Sequence, residues 1–177
     1  MKVSGENCHW RKRKKPVVVS FGDVAASGGY YISCAADSIF ALPTTITGSI
    51  GVFGIIPNMQ AFFKNKLGIT FDGVKTGPYA DASTFTRPMN EQEKKMIQAE
   101  IEMIYSQFKQ RVADGRKMDT AYVDSIAQGR VWTGVRAKEI GLIDRFGGLN
   151  DAVLCAARMA KITDYQLKEF PAPGKHF

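Results

Sequence analysis

Histidine is scarce in this 177-residue sequence, and its position limits the chemistry that the chain can perform. His9 and His176 are the only two histidines, and both lie within nine residues of an end, where chains are usually poorly anchored. A Ser-His-Asp triad needs a well-placed histidine to take the proton of the nucleophile. The sequence therefore does not predict such a triad.

Cysteine is also sparse, and its spacing excludes two classes of protein. The three cysteines, Cys8, Cys34 and Cys155, are an odd number and form no CxxC pair, which excludes a zinc site and a disulfide framework. We expect Cys34 and Cys155 to pack as small apolar residues. No other metal-ligand spacing and no phosphate-binding loop is present, so the sequence predicts neither a metal nor a cofactor.

Long hydrophobic runs are absent from a composition that is otherwise ordinary for a globular protein, with 45% hydrophobic and 23% charged residues. The longest apolar stretches are interrupted well before the ~20 residues needed to span a bilayer. We therefore expect these residues to form a soluble part of the protein, without a membrane span or a signal peptide.

A net charge of +7 raises the possibility of nucleic-acid binding, but the charge is unevenly distributed. Five positive residues form one run at 11–15 (RKRKK), and the rest of the chain is nearly balanced. Such a run is more typical of a solvated linker or the polar end of a helix than of a polyanion site. No nucleic-acid partner is expected.

The most informative segment covers residues 17–31 (VVVSFGDVAASGGYY), where a β-branched run enters a turn of small residues and leaves through two glycines. A nucleophilic serine needs such a turn from strand to helix, because its Oγ then projects while backbone N–H groups face the developing oxyanion. Ser27 and the N–H of Gly28 are the candidates. The alternative is that the glycines allow close packing and that Ser27 only caps the helix.

The order of elements around this segment indicates the fold class. A strand at 17–21, a helix at 30–36 and a strand at 38–42 favour a parallel α/β arrangement. Residues 44–52 form a glycine-punctuated extended segment that could pair with another strand or a peptide.

The remaining chain is predicted as alternating helices, strands and one long loop. We expect residues 1–15 to be a mobile leader, 16–170 the ordered domain and 171–177 a tail. The predicted helices lie at 58–67, with Met59, Phe62 and Phe63 inward, from the cap Asn90 with Glu93 to the stop at Gly115, at 120–128, in a helical turn ending at Gly141, and at 151–161, capped by Asn150. The predicted strands lie at 69–74, at 142–144 and, as an edge strand, at 165–170. Residues 75–86 are predicted as a loop.

The long helix carries an apolar stripe, which is core or interface: Ile97, Ile101, Ile104, Phe108 and Val112.

A lysine is the remaining candidate for a general base, provided that desolvation or a nearby positive charge lowers its pKa. Lys75 follows a predicted strand and opens the long loop, whereas the other internal lysines considered lie in hydrophilic surroundings. An ordinary solvated lysine is the favoured description of Lys75. Asp23 is close to Ser27 in sequence but has no identifiable partner.

Three motifs in order, at 17–31, 47–52 (TGSIGV) and 128–134 (QGRVWTG), resemble the S49 serine peptidases, the family of signal peptide peptidase A or protease IV. The likeness runs from residue 15 to about 170 and is strongest to the carboxy-terminal half of the family's long form. It implies a ClpP/crotonase-like α/β fold with a mostly parallel sheet flanked by helices. It also implies a Ser-Lys dyad that cuts residual signal peptides, and a bowl-shaped homo-oligomer facing the periplasm in a membrane-anchored bacterial protein. Ser27 matches the nucleophile.

Two departures from the family pattern concern the rest of the machinery. Where some members carry the lysine, in a segment resembling 75–81 (KTGPYAD), this chain has Ala80. The family's upstream segment that helps hold the oxyanion has no match before Lys15, so the domain looks truncated at its amino-terminal side. We therefore expect the lysine to come from an amino-terminal half or another subunit, and the isolated chain to be nearly inactive.

Two alternatives remain open at this stage. The chain could be a non-catalytic assembly module that uses its long helix and glycine-rich edge. It could also be an acyl-CoA enzyme on the related crotonase fold, but no adenine or pantetheine pocket is identifiable in the sequence.

Overall fold

The computed structural model describes residues 15–82 and 84–170. The predictions that concern Cys8, His9, His176, most of the leader and the tail lie outside the described residues. In the order of the chain, the elements are β1 (Val18–Ser20), β2 (Val24–Ala26), α1 (Gly28–Ser33), β3 (Ser38–Ala41), β4 (Ile46–Gly48), α2 (Gln60–Phe62) continued by a π-helical turn (Phe63–Leu67), α3 (Glu91–Arg116), α4 (Thr120–Ile126), β5 (Val131–Thr133), α5 (Gly134–Glu139), β6 (Arg145–Phe146) and α6 (Leu149–Ala160).

Two three-stranded sheets confirm the α/β fold class. The first has the order β1-β3-β6 with all strands parallel, and the second has the order β2-β4-β5, in which only β5 is antiparallel. Strand β2 was not predicted as a separate element, because residues 22–26 were assigned to a turn. After the break at Gly22 and Asp23, the chain crosses from the first sheet to pair with β4 in the second. This crossing places Ser27 where β2 ends.

The core lies between the first sheet and helices α1, α3 and α4. Tyr30 is fully buried, and its hydroxyl donates a hydrogen bond of 2.9 Å to the Leu142 carbonyl. Cys34 and Cys155 are buried free thiols, which confirms their prediction as packing residues. Burial raises the pKa of the Cys34 thiol to about 11, so this thiol stays protonated and unreactive near neutral pH.

Helix α3 begins as predicted. The Asn90 side chain accepts from the Glu93 N–H at 2.8 Å, and the Glu93 carboxylate accepts from the Asn90 N–H at 2.8 Å. The helix ends two residues later than expected, because Gly115 lies in the last turn and Lys117 takes the left-handed conformation (φ 55°). A Cβ on Gly115 would collide with the Cys34 carbonyl, so this glycine serves the packing of α1 on α3.

Two predicted strands are wrong. Residues 69–74 and 165–170 form no strand, and in the first segment Ile69, Phe71 and Val74 are exposed. No strand of the described residues pairs with either segment, and pairing is what stabilises a strand. Phe62, predicted inward, is 47% exposed.

The boundaries near the carboxyl end also differ from the prediction. Leu142 and Ile143 are buried core residues, and the strand is β6, which begins at Arg145. Helix α6 begins at Leu149 with Gly148 before it, and the Asp151 carboxylate accepts from the Gly148 N–H at 2.8 Å. Asn150 is therefore inside the helix and is not its cap. Among the described helices, none combines the length and apolar character that crossing a bilayer requires.

Candidate active site

Ser27 occupies a backbone conformation that few residues other than glycine adopt (φ 51°, ψ −115°). Both of its backbone groups are fixed: its N–H donates to the Gly48 carbonyl at 2.9 Å, and its carbonyl accepts from the Tyr31 N–H at 2.8 Å. The first bond ties Ser27 to β4, and the second closes the first turn of α1. A non-glycine residue held this way stores backbone strain, which is typical of nucleophiles on sharp turns from strand to helix.

The Ser27 side chain is exposed and makes no capping hydrogen bond, although Ser27 stands at the N-cap position of α1. The alternative role as a helix cap is therefore not what the structure shows. A Cβ placed on Gly28 or Gly29 would meet nothing within 4 Å, so close packing does not require these glycines either. Their N–H groups belong to the first turn of α1, where intrahelical acceptors are missing. An oxyanion beside Ser27 could accept from them.

Two cavities open beside Ser27, and both include Gly51, Val52 and Phe53 in their walls. Cavity 1 has a volume of about 520 Å³ and cavity 2 of about 300 Å³. The other residues lining cavity 1 are Ser49, Gln98, Ile101, Glu102, Tyr105, Gln128 and Gly129. The other residues lining cavity 2 are Gly28, Tyr31, Ile104, Gln107 and Phe108.

Two loops meet to form one wall of cavity 1. The Gly129 N–H donates to the Ile50 carbonyl at 3.0 Å, and a Cβ on Gly51 would lie 2.8 Å from the Gly129 backbone. Ser49 also lines this cavity, with a positive φ of 48°. Ser49 belongs to the motif at 47–52, but its place in this wall could not be predicted, because a positive φ at a serine leaves no signal in the sequence.

Tyr105 holds the same wall from the side of α3. Its hydroxyl accepts from the Gln128 N–H at 3.1 Å and donates to Asp124 at 3.1 Å, and Lys109 pairs with Asp124 at 2.6 Å. Desolvation by the surrounding protein raises the pKa of the Tyr105 hydroxyl above its ordinary value, so this hydroxyl is neutral near pH 7. The apolar stripe beside Tyr105 is predictable from the sequence, whereas the role of Tyr105 itself is not.

The stripe of α3 is divided between core and site. Phe108 and Val112 are buried, whereas Ile104 is 41% exposed and lines cavity 2 with Phe108. Ile101 lines cavity 1. The stripe is therefore core at its carboxyl end and a cavity wall in its middle.

Within the described residues, the structure does not bring the expected lysine base to Ser27. No lysine or histidine lines cavity 1 or cavity 2 in the part of the chain that the structure describes. Lys75 forms an ion pair of 2.9 Å with Asp81, and Ala80 is an exposed residue of the same loop. Asp23 is exposed and lines neither cavity. Of the predicted site residues, only Ser27 and Gly28 lie together.

Arg87 connects the loop that holds Lys75 to the start of α3. Its guanidinium donates to Asp81 at 2.8 and 2.9 Å and to Glu93 at 2.6 and 2.9 Å. The Glu93 side chain is only 1% exposed. Hydrogen bonds from Arg87 lower the pKa of Glu93 from 4.5 to about 2.

We expect Arg87→Met to lower the urea midpoint of unfolding at pH 7, because it leaves the Glu93 carboxylate buried without its cation. A lowered pKa in the folded state stabilises the fold above pH 4.5, and that contribution is lost as the pH falls towards 2. The difference between the two proteins should therefore shrink over this interval. Lys94→Met, which removes an exposed ion pair with Glu91, is the control. A difference independent of pH would contradict this assignment.

The strain at Ser27 predicts that Ser27→Gly stabilises the protein. Releasing ~1–3 kcal/mol of backbone strain, less the ~0.4–1 kcal/mol that glycine adds to the entropy of the unfolded chain, leaves a gain of about 1 kcal/mol. For a chain of this length, the melting temperature should rise by about 2–4 °C. Ser27→Ala keeps the strain and should not stabilise. Equal melting temperatures for the glycine and alanine variants would show that Ser27 is unstrained.

Comparison with known proteins gives one consistent result. The model of peptidase family S49 matches residues 9–163. "Protease 4" of Salmonella typhi is 46% identical over 157 residues, which are 89% of this chain and 25% of that protein. "Putative signal peptide peptidase SppA" of Enterococcus faecium is 38% identical over 168 residues, 95% of this chain and 48% of that protein. "Serine protease SPPA, chloroplastic" of Arabidopsis thaliana is 38% identical over 159 residues, 86% of this chain and 23% of that protein. The chain thus spans from 23% to 48% of the length of these relatives.

Proposed function

Because the chain belongs to peptidase family S49, we propose that it carries the nucleophile of a serine endopeptidase and that Ser27 is that nucleophile. The general base is a lysine supplied from outside this sequence, by an amino-terminal half or a neighbouring subunit. The substrates are peptides, and cleaved signal peptides are the class that the name of the Enterococcus faecium relative suggests.

The conformation of Ser27 carries this proposal. An exposed hydroxyl that caps nothing, on a residue held at φ 51° between a strand and a helix, has no structural use that a glycine would not serve better. Ser27 also lines two cavities, so the strained residue lies where a substrate could bind. The combination favours catalysis over a structural role for this serine.

The mechanism follows from the position of Ser27. A neutral lysine amine takes the Oγ proton while Oγ attacks the scissile carbonyl carbon, and the Gly28 N–H donates to the oxygen that becomes negative. The tetrahedral intermediate collapses and expels the leaving amine, which receives the proton from the lysine ammonium. Water, deprotonated by the same lysine, then attacks the acyl-enzyme, and Ser27 is regenerated.

The site is best suited to a general base that is a lysine from outside this sequence. An ammonium loses its proton near neutral pH only when it is desolvated or lies near another cation. Lys75 does not supply this base, because it lines neither cavity and its 45% exposed side chain is paired with Asp81 at 2.9 Å. In cavity 2, by contrast, Tyr31, Ile104 and Phe108 offer apolar walls.

Assembly is the second part of the proposal. Large apolar side chains are exposed along residues 53–74, including Phe53 (86%), Ile55 (85%) and Val74 (101%). A single chain rarely exposes so many apolar residues in one segment without covering them in an interface. We propose a homo-oligomer that covers this segment, and association of the full-length protein with the periplasmic side of a bacterial inner membrane.

The same exposed segment favours one alternative function, a non-catalytic module that only assembles. A fluorophosphonate probe separates the two functions. We expect little labelling of the chain alone and strong labelling after mixing with the lysine-bearing half of a long relative. Ser27→Ala is the control and should remove the label. No labelling in the mixture, with assembly intact by light scattering, would favour the purely structural module.

A further inference from the structure

Cavity 1 contains a negative charge that the proposed chemistry does not use. Glu102 lines this cavity together with Ser27, and its carboxylate accepts one hydrogen bond, 2.8 Å from the side-chain nitrogen of Gln98. Gln98 is neutral, so the charge is not compensated by it. Within the ranges that the structure describes, Glu102 forms no ion pair.

The neighbouring charges do not neutralise Glu102. Lys109 lies two turns further along α3, where it pairs with Asp124 at 2.6 Å and stands over the Tyr105 ring at 4.4 Å. Arg130 donates to the Ser125 carbonyl and to the Gln128 side chain, and it does not line the cavity. The other described residues that line cavity 1 carry no formal charge, so Glu102 is the charged group in its wall.

Cavity 2 provides the contrast on the other side of Ser27. Its described lining is uncharged and includes Tyr31, Ile104 and Phe108. A peptide crossing Ser27 would therefore meet one apolar cavity and one cavity with a carboxylate. Such an asymmetry can select both the sequence and the direction of a substrate.

We propose that cavity 1 is the subsite for a positively charged group of the peptide substrate and that Glu102 selects it. This inference rests on the proposed peptidase function and adds a specificity-determining residue to it. A charged partner from the peptide would complete an ion pair beside the neutral Tyr105 hydroxyl.

The catalytic lysine is not the group that Glu102 suits. A carboxylate favours the protonated form of a nearby amine and raises its pKa, whereas a general base must lose its proton. The uncharged cavity 2, on the other side of Ser27, is a better environment for a lysine that must lose its proton. Glu102 is therefore assigned to the substrate, which binds with its charge retained.

Equilibrium binding tests the subsite without requiring catalysis. Dye-labelled hexapeptides, blocked at both ends, carry lysine, norleucine or glutamate at one position, and this position is moved through the peptide. We expect lysine at one position to bind this chain about fivefold more tightly than norleucine, and glutamate about fivefold more weakly, as expected for one unit charge a few ångströms away in water. A norleucine peptide with a free amino terminus tests whether an α-ammonium is recognised instead of a side chain.

Charge removal at two positions of α3 provides the matched comparison. Glu102→Gln should bring the three peptides within about twofold of one another, whereas Glu100→Gln, an exposed residue outside both cavities, should keep the preference. Glu102→Lys should reverse the order and serves as a second variant should the first fail to fold.

Three results would overturn the inference: equal binding of lysine and glutamate peptides at every position, an equal loss of preference in Glu100→Gln, or no binding at millimolar peptide. Covalent labelling of Ser27 without a charge preference would remove the subsite and leave the peptidase proposal intact. A preference for lysine, without fluorophosphonate labelling in the mixture with the lysine-bearing half, would support the subsite and remove the nucleophile.

Discussion

Replacing Ser27 with alanine is expected to lower peptide hydrolysis by the assembled enzyme by ~10³–10⁶-fold. Alanine removes the only atom proposed to attack the scissile carbonyl, while the cavities and the Gly28 N–H remain. The measurement is kcat/KM for a fluorogenic peptide, with the lysine-bearing half present in excess. Because binding is unaffected by the loss of Oγ, the change should appear in kcat and not in KM.

Ser106→Ala is the matched control for this prediction. Ser106 lies on the exposed face of α3 and lines neither cavity, so its replacement should leave hydrolysis unchanged. A Ser27→Ala enzyme that retains more than about a tenth of the activity would mean that another residue attacks the peptide.

The second large effect concerns stability and arises at Gly134. This glycine is buried at the start of α5, where an added Cβ would collide with the Leu42 carbonyl oxygen and lie 3.2 Å from the Pro43 carbonyl oxygen. Both are backbone atoms of the β3–β4 turn, so no side chain can move aside. We expect Gly134→Ala to lower the free energy of unfolding by about 3 kcal/mol, at the upper end of overpacking effects.

Gly73→Ala is the comparison for this second prediction. A Cβ at Gly73 would meet nothing within 4 Å, so its effect should stay within about 0.5 kcal/mol. Urea unfolding followed by tryptophan fluorescence measures both variants. Equal midpoints for the two would show that the β3–β4 turn is free to move away from α5.

The fold could be predicted where local pattern and tertiary pairing agree. The β-branched run of β1 and the capping residues of α3 carry their structure in their own side chains. Residues 165–170 show the limit of this reasoning, because an alternating pattern becomes a strand only when a second strand lies beside it. Strand β2 shows the reverse: Ala25 and Ala26 have low β propensity, yet β4 pairs with them.

The candidate site likewise contains residues that could be predicted from the sequence and residues that could not. Ser27 and Gly28 could be proposed from the sequence because the turn and the candidate nucleophile are adjacent in the chain. Glu102 and Tyr105 lie about 75 residues further along the sequence, and they line the same cavity as Ser27 only because α3 packs beside the loops that contain Gly51 and Gly129. No local pattern shows that approach, and nothing in a serine or glutamate indicates which cavity it will line.

The identity of the nucleophile is the central claim, and mass spectrometry tests it most directly. The assembled enzyme is treated with a fluorophosphonate, digested, and the modified residue is located by fragmentation. The account predicts a single phosphonylated serine at position 27. A modification at Ser49, or at any other serine with Ser27 unmodified, would contradict it.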